Sequence, residues 1–261
     1  MKSCRFLRTA TVGILLSFLF FHSSAHSQDR PRRSSQPSAE ERLLLEDANR
    51  ERAAAGLQLL EWDNALAAAA RQHVLLMAQQ YLLSHQYPGE LPLAERAAEA
   101  GARFAMVAEN VAVGPTPDRI HDGWMHSPGH RKNILNAEVS AVGIATVRGS
   151  GGLFAVEDFS RPVADFSLQQ QEEKVISLLR RTGLMRADAS EEARKACGMN
   201  RGLGGTSARY VMRFEATDLS KLPEPLMRSL NSGAYRKASV GACHDDHPAG
   251  FTRYRIAVLL N

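Results

Sequence analysis

Glu109-Asn110-Val111-Ala112, and shortly after it Gly123-Trp124-Met125-His126-Ser127-Pro128-Gly129-His130-Arg131-Lys132-Asn133-Ile134-Leu135, decide how this chain reads. A carboxylate, amides, two histidines, two basic side chains and a Pro-Gly turn crowd into this span. The apolar segment Val139–Val147 follows at once. A buried strand alone does not require that density of polar chemistry beside it. Met106–Val113 predicts a strand whose apolar pattern is broken only by Glu109 and Asn110. Thr116-Pro117 supplies an N-cap and a proline at the first helical position, starting a helix that reaches Met125. Ser127-Pro128-Gly129 breaks it, and His130–Leu135 forms one more short turn. Two strands follow, Val139–Val147 and Leu153–Phe159, joined through Gly149–Gly152.

Upstream, Ser38-Ala39-Glu40-Glu41 is a capping-box pattern opening a helix to about Ala55, stopped by Gly56. Leu44, Ala48 and Ala55 mark its apolar stripe, with Asn49, Arg50 and Arg52 placed off it. Leu57–Glu61 is a connection, and Trp62 plugs the core. Asp63 caps an alanine-rich helix from Asn64 to Tyr81. Ser84-His85 enters a loop with Pro88 and Gly89, and a helix over Leu91–Ala100 ends at Gly101. Downstream of Arg161-Pro162, a helix is expected near Leu168–Arg181, with strands at Arg209–Thr217, Arg236–Cys243 and Arg253–Leu260 and a helix at Pro223–Leu230. Val142-Gly143 and Val240-Gly241 each precede a turn and a final strand, hinting at a degenerate repeat.

The chain has 261 residues, 44% hydrophobic and 23% charged, a globular composition. Lys2, Arg5 and Arg8 precede an apolar run, Ala10–Phe21, and Ala25-His26-Ser27 places small residues where a signal peptidase reads. This predicts a secretory signal peptide over 1–27, cut after Ser27. The run is far short of the roughly 20 residues a membrane span needs, so the exported chain is not expected to span a membrane. Cleavage takes the formal charge from +4 to +1, and no basic run interleaved with aromatics remains to suggest nucleic-acid binding. Residues 28–38 read as a disordered linker, 39–163 as the first domain and 164–261 as a smaller α/β module. The segment 28–163 has 14 Lys/Arg against 17 Asp/Glu, and 164–261 has 15 against 11. Cys197 and Cys243 remain after cleavage, most simply one disulfide in an exported chain.

His85 and His130 lie in a loop and a short turn. Two imidazoles with a carboxylate such as Glu109 make a zinc-type site conceivable. Neither His-x-x-Glu-His nor Cys-x-x-Cys is present, so a structural hydrogen-bonding role competes with ligation. Ser127 stands near His126 and His130, but in no Gly-x-Ser-x-Gly elbow, and serine before Pro-Gly is ordinarily a turn former.

Taken in order, Asn49-x-x-Arg52, Gly56, Leu59-x-x-Trp62, Ser84-His85, Glu95-Arg96, Ala108-Glu109-Asn110-Val111-Ala112, Trp124-x-x-Ser127-Pro128-Gly129-His130-Arg131-x-Asn133-Ile134-Leu135, Val142-Gly143-Ile144-Ala145 and Phe154-Ala155-Val156-x-x-Phe159 form one pattern. Over residues 39–163 it resembles the CAP superfamily (cysteine-rich secretory, antigen 5 and pathogenesis-related proteins; the SCP domain), in its bacterial branch. The resemblance implies an α+β fold, a three-layer α-β-α sandwich around an antiparallel sheet. It also implies an open cleft lined by His85, Glu109 and His130, with Asn110 and Ser127 beside them, and in some members a divalent metal such as zinc. Eukaryotic relatives often place a second glutamate three residues after the tryptophan; this chain has Ser127 there, one anionic ligand fewer.

Three functions follow as alternatives. The first is an exported binding or interaction module whose cleft takes a small apolar ligand, a divalent metal or a lipid or cell-envelope component, in the periplasm or the medium. The second is a zinc-assisted hydrolase of peptide or wall material, with His85 and His130 holding the metal and Glu109 as base or ligand. In the third, the first domain is a scaffold and specific binding lies in 164–261.

Overall fold

A computed structural model describes residues 36–199, 207–244 and 250–261. The expected signal peptide, its cleavage point and the 28–35 part of the linker lie outside them. Ser38 and Glu41 form the capping box: the Glu41 N–H donates to Ser38 Oγ at 3.2 Å and the Ser38 N–H to Glu41 Oε2 at 2.8 Å. They open α1 (Ala39–Ala54), and Gly56, at φ +69°, turns the chain away from it. Next come β1 (Glu61–Trp62) and α2 (Asn64–Gln80), capped by Asp63 Oδ1 accepting from the Ala65 and Leu66 N–H groups. The order continues with α3 (Leu93–Glu99), β2 (Phe104–Gly114), α4 (Pro117–His126), α5 (Pro128–Ile134), β3 (Ala141–Gly149) and β4 (Gly152–Pro162).

These strands form a sheet in the order β1-β3-β4-β2, with β1 parallel to β3 and the other pairs antiparallel. Alternation along the strands feeds two apolar layers. Val142, Ile144 and Phe159 pack with Leu44 and Ala48 of α1 and Ile120 and Trp124 of α4. Val111, Ala145 and Val156 pack with Ala70, Val74 and Met77 of α2. The α-β-α sandwich is therefore present. Gly143 lets α2 lie close on the sheet, because a Cβ there would fall 2.0 Å from the backbone nitrogen of Ala67.

The rest of the chain builds a second sheet. It contains α6 (Leu168–Arg180), β5 (Arg186–Ala189), α7 (Glu191–Cys197), β6 (Tyr210–Ala216), α8 (Glu224–Asn231), β7 (Lys237–Cys243) and β8 (Tyr254–Leu260), with strand order β5-β7-β8-β6. Val175 and Leu179 of α6 and Leu226 of α8 cover one face, over Val240, Ile256 and Val258. Ala193, Ala196 and Cys197 of α7 cover the other, over Ala257 and Leu259. Cys197 and Cys243 are joined as a disulfide, which fastens α7 to β7. The segments flanking the strands join the two halves: the Thr252 N–H, just before β8, donates to the Phe104 carbonyl of β2 at 2.8 Å, and the Tyr254 OH of β8 to the Ala164 carbonyl, just after β4, at 2.6 Å.

Two expectations change. Glu61 belongs to a strand, not to a connection, because its N–H donates to the Ser140 carbonyl at 2.9 Å. Arg52 is fully buried, not off the apolar stripe. Its guanidinium donates to the carbonyls of Gln58, Ile134, Asn136 and Val139 at 2.7–2.9 Å. A planar five-donor group can satisfy several converging carbonyls at once; three of these come from the end of α5 and the turn to β3, and that of Gln58 from the connection after α1. Ala55, assigned to the stripe, is exposed.

Candidate functional site

The site grows from β2, an edge strand of its sheet. Successive residues point to opposite faces, so Glu109 is offered toward α2 and α3 and Asn110 toward α4 and α5. Directly across the ladder Glu109 meets Asp158, and Asn110 meets Glu157.

Glu109 is 7% exposed, yet both its oxygens are engaged. Oε1 faces His85 Nδ1 at 2.8 Å, and Oε2 accepts from the Arg96 guanidinium. Arg96 is itself buried on α3 and also lies 3.6 Å from Glu90 Oε1. The loop bearing His85 is held from below by His73 of α2, a fully buried ring. Its Nε2 donates to the Ser84 carbonyl at 2.8 Å and its Nδ1 meets Glu90 Oε1 at 2.7 Å. His73 is thus a satisfied core histidine whose bond fixes the residue before His85. The His85 side chain remains 62% exposed, above a buried acid. Its hydrogen bond to Glu109 raises its pKa above the usual 6.5, against the opposing effect of burial.

On the opposite face, Asn110 is fully buried. Its amide donates to the His130 carbonyl at 3.2 Å and to Glu157 Oε2 at 3.3 Å, and its Oδ1 accepts from Asn133 Nδ2 at 2.9 Å. Asn133 also donates to the Glu109 carbonyl at 3.2 Å. These bonds fasten α5 to the edge strand, so His130 and His85 approach the same edge from its two sides. The His130 pKa is lowered, first by burial and then by the charge of His85. Two buried acids underlie the site. Burial pushes Glu157 up to about 8, and burial together with Glu109 pushes Asp158 well above the carboxylate range.

Ser127 joins α4 to α5. Its N–H donates to the Trp124 carbonyl and its own carbonyl accepts from Arg131, and its hydroxyl caps neither helix. No histidine hydrogen-bonds that hydroxyl, so the described residues hold no Ser-His pair. His126 bonds instead to the Asp122 carbonyl at 2.8 Å. Phe104 is buried, Val107 packs in the same cluster and Met106 faces the opposite core.

Among the described residues, no group of three or more His, Cys, Asp or Glu side chains is arranged to hold a metal ion. The set His85, Glu109 and His130 does not fit as three ligands, since both Glu109 oxygens are occupied by His85 and Arg96. Sequence reasoning passed over Arg96, Glu90 and His73 as site residues. The available signal was Arg96 among the alanines of Leu93–Ala100, where a helix face of small residues packs closely and a charge turned toward it needs a buried partner.

Residues 45–159 match the model of the Cysteine-rich secretory protein family (CAP). The uncharacterized protein YkwD of Bacillus subtilis is 34% identical over 121 residues, covering 46% of this chain and 47% of that one. The uncharacterized membrane protein YlbC of the same organism is 32% identical over 112 residues, 41% of this chain and 32% of that one. This chain thus spans less than half the length of either relative. A solved structure of an extracellular SCP-domain protein from Bacillus anthracis is 30% identical, with a TM-score of 0.41, covering 46% of this chain and 39% of that one. Residues 45–159 thus carry a domain of the CAP type, similar to that of the cysteine-rich secretory proteins.

Proposed function

We propose that this is an exported CAP-domain binding module whose cleft, formed by His85, Glu109 and His130 at the edge of β2, takes a polar, acid-bearing component of the cell envelope. One observation carries the reading: an exposed imidazole is held by a buried carboxylate that Arg96 already neutralises. A general base needs a free lone pair directed at a proton, and Glu109 offers none. An imidazole so held takes up a proton more readily than a free one and faces outward, a recognition group for anions. The exposed Arg131 and Lys132 extend the basic rim along α5. A zinc-assisted hydrolase has less support, because the carboxylate it requires as base or ligand is committed elsewhere.

The test is sedimentation of the exported protein with insoluble cell-wall polymer at about pH 5.5 and about pH 8.5, bracketing the histidine range. Retention is expected at the lower pH and falls as pH rises through the raised His85 value. The sign for stability is the same. A pKa raised above 6.5 means the His85–Glu109 pair stabilises the fold below pH 6.5 and ceases to as pH passes the folded-state value. A folded His85→Ala/His130→Ala double variant should no longer sediment. Undiminished retention in that variant would sink the reading. Release of soluble fragments that is lost with chelator and restored by zinc would replace binding with hydrolysis.

A further inference from the structure

Arg96, which holds Glu109, stands on α3, a helix of only 7 residues. Two turns of helix are marginal by themselves, and the N-cap here is Pro92, with no side-chain bond to the first N–H groups. One face of α3 is packed. Ala97 is fully buried with Leu66 and Ala69 of α2 and with Phe104, and Ala94, Ala98 and Ala100 lie against the same cluster. Methyl groups let the helix lie close but form only low ridges, so they resist sliding along its axis weakly.

A stop comes from the other half of the chain. Gly250, Phe251 and Thr252 lead directly toward β8, an inner strand of the second sheet. Gly250 lies against the backbone of α3: a Cβ there would fall 2.4 Å from the Ala94 carbonyl oxygen and 2.7 Å from its carbon. Its φ of +78° is in the left-handed region, where a side chain is strained whatever the space. Phe251 meets the buried ring of Phe104 edge to face, with centroids 5.4 Å apart. The Thr252 N–H bonds to the Phe104 carbonyl at the start of β2. Three consecutive residues thus touch the first turn of α3 and the strand that bears Glu109. Tyr254, buried at the start of β8, anchors their far end.

From Ala94 the path to the cleft is short. Arg96 follows on the same helix, and its guanidinium donates to Glu109 Oε2 and, through Nη1 at 3.4 Å, to the carbonyls of His85 and Leu91. Glu109 in turn bonds His85 Nδ1. A shift of α3 along its axis carries Arg96 away from all of these acceptors together. The arginine side chain is 3% exposed and has no room to swing after them.

We propose that residues 164–261 act as a brace for the His85 cleft. The strap Gly250–Thr252 sets the position of α3, and Gly250 and Phe251 are positioning residues for the Arg96–Glu109–His85 chain. The second half thereby takes part in binding without touching the ligand, a consequence that rests on the cleft being the binding site.

The test compares the whole protein with its Gly250→Ala and Phe251→Ala variants at one fixed pH. NMR reads the ring nitrogens of His85 and the guanidinium protons of Arg96, and sedimentation with insoluble cell-wall polymer reads binding. In both variants the His85 Nδ1 signal should move toward that of a free imidazole, and the Arg96 protons should exchange faster with water. Retention on the polymer should fall about threefold or more, the scale on which indirect contacts act. Phe251→Ala leaves the backbone unstrained and serves where Gly250→Ala fails to fold. Ile256→Val, which loosens the second core away from α3, should leave both sets of signals in place. Unchanged His85 and Arg96 signals in a folded strap variant would overturn the brace, as would an equal shift in Ile256→Val. Signals that move in a protein that never binds the polymer would uphold the brace and remove the binding reading.

Discussion

At the residue scale the cleft depends on one buried ion pair. Arg96 and Glu109 have side chains 3% and 2% exposed, so removing Arg96 takes from a buried carboxylate its permanently charged partner and leaves it only His85. Arg96→Met should destabilise the protein by about 3–5 kcal/mol, measured by urea unfolding. Adding Glu109→Gln to that variant should recover much of the loss, since no buried carboxylate is then stranded. A double variant no more stable than the single one would show that Arg96 acts by packing alone. His85, Glu109, Asn110 and His130 were legible as a group because the motif surrounding them is dense and polar. Arg96, Glu90 and His73 were not. Their importance comes from bonds between residues 13 to 17 apart in the chain, and no local pattern encodes which acid a buried base will meet. Arg52 was misread for the same reason: four carbonyls that become neighbours only after folding solvate its charge.

At the element scale, long helices and strands with strong caps or alternation were readable, including the capping box of α1 and the one-sided pattern of β6. The short parallel strands β1 and β5, and α7, escaped notice. Two or four residues cannot display a period, and seven residues make barely two turns of helix. These small pieces nonetheless set the topology, because each first strand supplies the parallel partner of a third. The glycines behind them give a matched prediction. Gly143→Ala and Gly241→Ala should each destabilise by about 1–3 kcal/mol, because a methyl would drive into helix backbone that cannot move without breaking its cap. Differential scanning calorimetry reads both. Loss confined to one glycine would show that only one of the two helices is held this close.

Across the whole molecule, the second sandwich is smaller and needs more help. Its α7 has 7 residues where α2 has 17. The shorter helix buries less apolar surface, and the disulfide joins it to β7 across 46 residues of chain. A loop of that size lowers unfolded-state entropy by the equivalent of roughly 4 kcal/mol in the chain-entropy model. Reduction should therefore raise amide exchange in α7 and β7 well above that in α2 and β3, read by hydrogen exchange with and without reductant. Equal responses would mean that the two sheets unfold as one cooperative body. No helix of the described residues is long and apolar enough to cross a membrane.

What the sequence by itself determined is whatever short-range physics controls: caps, helix stops, strand alternation, the CAP motif and the two-cysteine bridge. Each depends on residues a few positions apart, or on a residue count. The tertiary structure alone decided which charges meet. It placed a partner on each oxygen of Glu109, buried Arg52 among carbonyls and brought His85 and His130 to opposite sides of one edge strand. It also set Gly143 and Gly241 each next to the strand residue that accepts a helix N-cap bond, close against that helix's backbone. Such pairings follow from strand order and helix approach, which the chain fixes only once its long-range contacts have closed.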